Sequence, residues 1–295
     1  MSIRMASSAS SRTPAPARPA AAPLRRAAPA GGPSYPRLRA IAHFWGDTLI
    51  QLSVVAALLI TWEAVARLSA INPFLLPPLS TVLARVAQDA ISGTMVLDLG
   101  LTLYRAASGF ALGLVVAIPL GVLMARNSAV RWFFDPLISV GFPMPKISFL
   151  PIFILWFGIF DTSKIVMIAF SCFFPIVSAT YAGTLGVDKW VIWSARSFGA
   201  TPREVLREVV LPMALPQILT GIQIAVPVGL ITTVVTEMLM GGPGIGGSMM
   251  QAGRFADSPG VFAGIVEIAL LGALVVKSVE LTRKRLLRWH PETRP

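Results

Sequence analysis

Runs of roughly 20 mostly apolar residues recur about six times along this chain, at residues 48–68, 99–125, 136–157, 164–185, 214–240 and 261–281. Coiled as a helix, such a run rises roughly 30 Å, the depth of a bilayer's hydrocarbon core, and it satisfies its own backbone polar groups where no water can. The expected fold class is therefore all-α, a polytopic membrane protein of about six transmembrane helices. Composition agrees, because 55% of the chain is hydrophobic and only 13% charged, against about 25% charged in soluble domains. Pro143, Pro145 and Pro151 interrupt the third run and Pro216 and Pro227 the fifth. Each proline removes a backbone donor, so both runs are expected to be broken helices, either elements of a pathway or simple kinks.

Residues 1–42 are rich in Ala, Pro, Ser and Arg, with no acid before Asp47, and read as a disordered cytoplasmic tail. An Arg-rich, acid-free start also suits an organelle transit peptide, although the proline density opposes the amphipathic helix such a peptide forms. Residues 43–282 form the transmembrane domain, and 283–295 a basic tail. Lys and Arg concentrate in the N-terminal tail, at Arg126 and Arg131, at Lys189, Arg196, Arg203 and Arg207, and from Arg283 onward, leaving Arg85, Lys164 and Arg254 opposite. With six crossings both termini are then cytoplasmic.

The net charge of +11 is dispersed and carries no nucleic-acid-reading motif, so it is assigned to cytoplasmic loops and anionic lipid rather than to nucleic acid. Cys172 stands alone, which excludes an internal disulfide, and His43 and His290 lie at opposite ends, which disfavours a metal site. After Pro77 and Pro78, a short amphipathic helix is expected at the outer interface, with Ser80 or Thr81 as its N-cap.

Between the fourth and fifth runs, residues 186–213 are polar and carry the signals of two short helices. Asp188 caps the first and Gly199 stops it. Thr201 and Glu204 have the spacing of a capping box, Pro202 sits at the first helical position, and Pro212 closes the second helix. The result is a helix–turn–helix elbow presenting Arg196, Arg203 and Arg207 to the cytoplasm; a plain positive-inside loop accounts for the arginines but not for the paired caps.

The run Ala195-x3-Gly199-x9-Val209-x-Leu211-Pro212 resembles the "EAA" signature of ABC-importer permeases, Glu-Ala-Ala-x3-Gly-x9-Ile-x-Leu-Pro. Similarity to the branch that imports nitrate, sulfonates and taurine extends over residues 62–289, through Asn72-Pro-Phe-Leu-Leu-Pro77, Pro143-Met-Pro145, Leu150-Pro-Ile-Phe-Ile-Leu-Trp-Phe-Gly158, Phe173-Phe-Pro175 and Leu211-Pro-Met-Ala-Leu-Pro216. The resemblance implies a type I importer (MetI-like) permease in a bacterial inner membrane. It also implies a homodimer, a cytoplasmic ATPase subunit docked on each elbow, and an extracytoplasmic solute-binding protein. The cargo implied is a small anionic solute. Coupling to the ATPase would then fall to Trp193, Ala195, Arg196, Gly199, Ala200, Arg203, Leu211 and Pro212. Trp193 replaces the signature's opening glutamate and Ser194 its first alanine. An aromatic there suits an apolar cleft on a partner.

No Gly-x4-Gly-Lys-[Ser/Thr] phosphate loop occurs in the chain, so energy has to come from a partner or a gradient. No catalytic residue, cofactor or metal is expected here, with ATP and Mg held by the partner subunit. Among ionisable residues within the runs, Glu63 and Arg67, and Lys277 and Glu280, have helical spacing for mutual neutralisation. Arg105 and Lys146 lack such neighbours. With Pro145, Glu237 and Glu267 they are candidate pathway residues; for Arg105 and Lys146 the plainer reading is a carbonyl or headgroup contact. Gly241–Gly247 after Glu237 is either a flexible gate or a tight re-entrant turn. A gradient-driven transporter using Glu267 or Glu237 is the rival mechanism; a membrane enzyme would need a grouping of acids and bases that these sparse carboxylates do not form.

Overall fold

A computed structural model describes residues 36–68 and 72–289. Residues 1–35 of the expected tail, and 290–295 of the basic C-terminal stretch, lie outside the described residues. The first helix, α1 (Pro36–Leu68), starts ahead of residue 43, inside the segment expected to be a tail. The chain forms two units meeting at Val55 and Ala56. Among the described residues the first unit holds only the N-terminal part of α1, and every helix from α2 onward belongs to the second.

Then follow α2 (Leu79–Ser92), α3 (Thr94–Arg126), α4 (Ser128–Gly141), a 3₁₀ turn (Lys146–Phe149), α5 (Leu150–Phe157) and α6 (Asp161–Leu185). The chain continues through α7 (Lys189–Ser197), α8 (Pro202–Glu204), a π-helical stretch (Val205–Val210), α9 (Leu211–Met240), α10 (Ile245–Arg254) and α11 (Ser258–Leu286). No strand occurs among the described residues.

Three helices make the packed centre, and small residues set how closely they approach. Gly109, Gly113, Ala117 and Gly121 recur every fourth residue and so share one face of α3. A Cβ added at Gly109 would lie 2.6 Å from Ile168 Cβ, at Gly113 3.3 Å from Cys172 Cβ, and at Gly121 2.7 Å from Thr180 Cβ. The contacts advance together along both helices, so α3 and α6 run parallel. Helix α9 runs the other way: a Cβ at Gly221 would sit 2.4 Å from Ala179 Cβ, and one at Gly229 2.9 Å from Cys172 Sγ. Lipid tails are as apolar as these side chains, so van der Waals contact at small residues, not hydrophobic burial, draws the helices together.

Parallel α3 and α6 oblige the chain between them to recross the bilayer. It does so through α4 and the 146–157 segment, which meet at 103°. The third crossing is therefore bent, as its prolines suggested, and Asn127 starts it by accepting the N–H of Ala129 (2.9 Å). The other five crossings are single long apolar helices. The fifth departs from expectation, because α9 passes through Pro216 and Pro227 without a break. Each proline deletes one donor, a loss that protein-packed membrane helices absorb. Pro212 does not close a helix either. The π-helical turn just before it, wider than an α turn, accommodates the missing donor and ring, and residues 202–240 run as one helix.

The cap expected for α2 is also absent. Pro78 occupies the N-cap position with no side-chain bond. Ser80 instead faces α1, where its hydroxyl donates to Glu63 Oε1 (2.9 Å) and its N–H to Oε2 (3.1 Å). Glu63 in turn pairs with Arg67 at 2.5 Å, the helical pair that the spacing implied.

Candidate functional site

The elbow is built almost wholly from local rules. Asp188 accepts the N–H of Trp190 (2.9 Å) and starts α7. At its end Gly199 has φ +90°, and the N–H of Ala200 reaches back to Ala195 O (3.2 Å) while that of Gly199 reaches Arg196 O (2.9 Å). This is a Schellman stop, and it explains why the motif spaces an alanine and a glycine four apart: Ala195 and Ala200 close over each other while Gly199 takes the left-handed turn. The capping box forms in full. Glu204 N–H donates to Thr201 Oγ1 (3.3 Å), and Thr201 N–H to Glu204 Oε2 (2.7 Å).

Beneath the elbow, Val187, Val205 and Val210 form a small buried cluster against Ile192, Ala195, Ala200 and Leu206. The other face carries aromatic rings that no part of the described chain covers: Phe198 is 90% exposed, Trp190 72% and Trp193 52%. The two tryptophan rings stand edge to face, 5.1 Å apart. Arg196, Arg203 and Arg207 on the same elbow are exposed and without an ion-pair partner among the described residues. Trp193, Ala195, Arg196, Gly199, Ala200 and Arg203 are thus gathered on one projection, whereas Leu211 and Pro212 sit behind it at the start of α9.

At the opposite end of the core, residues far apart in sequence converge. Arg105 Nη1 donates to Glu237 Oε1 (2.7 Å) and to Pro243 O (2.7 Å), while its Nε donates to Asp161 Oδ1 (2.9 Å). Glu237 also accepts the Thr102 hydroxyl (2.9 Å) and the N–H of Gly246 (3.1 Å). It thereby anchors the first turn of α10, where a carboxylate meets unpaired donors. Lys164 Nζ donates to Gly241 O (2.9 Å). The glycine-rich segment is a tight turn: a Cβ at Gly247 would fall 1.9 Å from Gly242 O. Arg105 and Glu237, each expected singly, are one another's partners, and Asp161, Thr102 and Lys164 are members that sequence reasoning missed.

Lys146 lies elsewhere, just after Pro145 in the bent crossing. Its Nζ donates to Phe142 O (2.5 Å) and sits 5.2 Å from the centroid of the Phe174 ring. No carboxylate pairs with it among the described residues. Glu267, on α11, joins neither group and lines a separate cavity. The five candidate pathway residues therefore fall in three places: Arg105 with Glu237, Pro145 with Lys146, and Glu267 apart.

A family model described as "Binding-protein-dependent transport system inner membrane component" matches residues 117–288, more than half of the chain. The chain belongs to this family of transport permeases. Among relatives of this permease, the taurine transport system permease protein TauC of Escherichia coli (strain K12) is 35% identical over 248 residues, covering 82% of this chain and 90% of that protein. The putative aliphatic sulfonates transport permease protein SsuC of Bacillus subtilis (strain 168) is 32% identical over 246 residues, covering 83% and 88%. A chain of the MetNI methionine ABC transporter in an inward-facing conformation shares the fold with a TM-score of 0.57 at 19% identity, covering 68% of this permease and 97% of that chain.

The permease is thus a multi-span transport subunit of an ABC importer and not an enzyme. Family membership brings an ATPase and a binding protein as general partners. The gradient-driven alternative is not favoured, and Glu237, held by Arg105, Thr102 and the α10 backbone, is poorly placed to shuttle protons.

Proposed function

We propose that this chain is the permease of an importer for a small anion-bearing solute of the nitrate, sulfonate and taurine class, working as a homodimer in a bacterial inner membrane by alternating access. Each elbow inserts Trp193, Trp190 and Phe198 into an apolar cleft of a cytoplasmic ATPase, with Arg196 and Arg203 at the rim. Gly199, Ala195 and Ala200 hold the shape of the elbow, and Leu211 and Pro212 pass its movement into α9. The nucleotide and its Mg stay on the ATPase, and both termini of the permease lie on the cytoplasmic side with the elbow.

The observation that carries this reading is the exposed aromatic face on an elbow whose two short helices, α7 and α8, both start on a side-chain cap. Large aromatic residues left uncovered outside the apolar crossings mark a partner surface, and Trp and Arg are the residues that most often dominate such contacts. Named relatives that act on taurine and aliphatic sulfonates support the solute class, as does Lys146, a cation in the bent crossing with no carboxylate paired to it among the described residues.

The test is reconstitution in vesicles with the co-expressed ATPase and binding protein. Uptake is expected to require internal ATP and to resist an uncoupler. Trp193→Ala combined with Phe198→Ala should weaken ATPase association by roughly tenfold to a thousandfold while the permease still inserts. Undiminished association in the double variant removes the docking assignment, and uncoupler-sensitive uptake without ATP removes the importer mechanism.

A further inference from the structure

Close to the Arg105–Glu237 pair, α2, α3, α10 and α11 enclose a cavity of about 320 Å³ that contains an unusual amount of negative charge. Its volume lies at the lower end of the small-molecule range, about 300–1,000 Å³. Asp89, Asp98, Asp257 and Glu267 face it, with Arg85 as the one cation.

Three of these carboxylates are already satisfied. Asp89 (3.1 Å) and Asp257 (2.8 Å) share Arg85, and Asp257 also accepts the N–H of Gly260 (3.0 Å). Burial disfavours the Arg85 charge, yet these two carboxylates more than offset it and hold its pKa above the ordinary value. Asp98 accepts the N–H of Gly244 (2.9 Å) and the hydroxyl of Ser248.

Glu267 is different. It is only 6% exposed and lines the cavity, and among the described residues nothing donates a hydrogen bond to it or pairs with its charge. A carboxylate withdrawn from water without a partner is costly, and further carboxylates across the same cavity add to that cost. A proton or a cation brought from outside neutralises it, and the cavity it lines has room for a cation. No cluster of three acidic, histidine or cysteine ligands close enough to hold a metal ion occurs among the described residues. An ammonium group suits the space better, since its three diverging donors reach acceptors set further apart than a metal shell allows.

We propose that this cavity receives the ammonium group of a small zwitterionic solute, with Glu267 as the principal acceptor and Asp98 as the second. The assignment rests on the importer reading above and narrows it: within that anion-bearing solute class, amine-bearing members such as aminosulfonates are admitted here, and plain sulfonates are repelled by the excess of carboxylates.

Calorimetric titration of the purified permease in lipid nanodiscs tests it, with ethylammonium, 2-aminoethanesulfonate and ethanesulfonate as probes. The first two should bind and the third should not. Glu267→Gln should weaken both amines by roughly tenfold to a hundredfold, the loss expected when a charge-assisted hydrogen bond goes. Glu280→Gln, in a separate ion pair on α11, should change nothing. If Glu267→Gln does not fold, Gln251→Trp at the exposed rim should block amine binding instead. Absence of amine binding, binding of ethanesulfonate as tight as that of ethylammonium, or amine binding untouched by both Glu267→Gln and Gln251→Trp overturns the assignment. ATP-driven uptake without amine binding sinks only this cavity, whereas amine binding without ATP-driven uptake sinks only the importer reading.

Discussion

Arg105 Nη1 and Glu237 Oε1 lie 2.7 Å apart although 132 residues separate them in the chain, and both side chains are almost fully withdrawn from the surface. The pair ties the N-terminal half of α3 to α9 and, through Gly246, to α10.

Breaking that pair from one side should be severe. Glu237→Ala leaves buried Arg105 with the Pro243 carbonyl and, as its one carboxylate among the described residues, Asp161, whose side chain is 46% exposed, and a loss of about 3–5 kcal/mol is expected from a poorly compensated buried charge. Asp161→Asn should cost about 1 kcal/mol or less, because solvent screens its bond. Thermal unfolding in detergent compares the two, and equal losses would show that the buried pair does not hold the helices.

Gly109 and Gly100 both lie in α3 but should respond oppositely to one added methyl. At Gly109 the new Cβ would meet Ile168, whereas at Gly100 nothing lies within 4 Å. Gly100→Ala is expected to stabilise by about 0.4–1 kcal/mol through the unfolded chain, and Gly109→Ala to destabilise by about 1–3 kcal/mol through overpacking. The same unfolding assay decides, and a stabilising Gly109→Ala would contradict the close approach of α3 and α6.

At Gly199 the expected penalty comes from the backbone alone. Its φ is +90° and no atom lies within 4 Å of an added Cβ, so Gly199→Val should cost about 1–2 kcal/mol of conformational strain. Gly199→Asn should keep more of the coupling, because asparagine tolerates this region. ATP hydrolysed per solute imported is the readout, and identical ratios in both variants would exclude a conformational role for this turn.

The second half of the elbow depends on one hydroxyl. Thr201→Ala removes half of the capping box, a loss of about 1 kcal/mol. Amide exchange over residues 201–205 should accelerate about fivefold, with α3 and α6 unaffected. Unchanged exchange at the elbow would mean that docking in the bilayer, not the cap, orders it.

Much of the elbow was legible because its determinants are local. Asp188, Gly199, Thr201 and Glu204 each act on backbone groups within about five residues, so spacing alone predicts the bonds found. The crossings were legible for a different reason: lipid demands a run of about 20 apolar residues whatever packs beside it. The small-residue spacing from Gly109 to Gly121 was also there to be read as a packing face, though nothing in it names α6 as the partner. Proline was a less dependable guide. It bent the crossing between α4 and α5 but left α9 whole, because surrounding protein decides whether a missing donor breaks a membrane helix.

What the sequence determined by itself was therefore the membrane class, the approximate crossings and the capped elbow, all governed by interactions within a few turns or with the solvent of the bilayer. Only the tertiary structure decided that α3 and α6 run parallel, that Arg105 belongs with Glu237 and Asp161, and that Glu267 faces a cavity without a partner among the described residues. Those facts join residues 56 to 132 or more positions apart, and the energy of a buried charge depends on which groups surround it in space rather than on its neighbours along the chain.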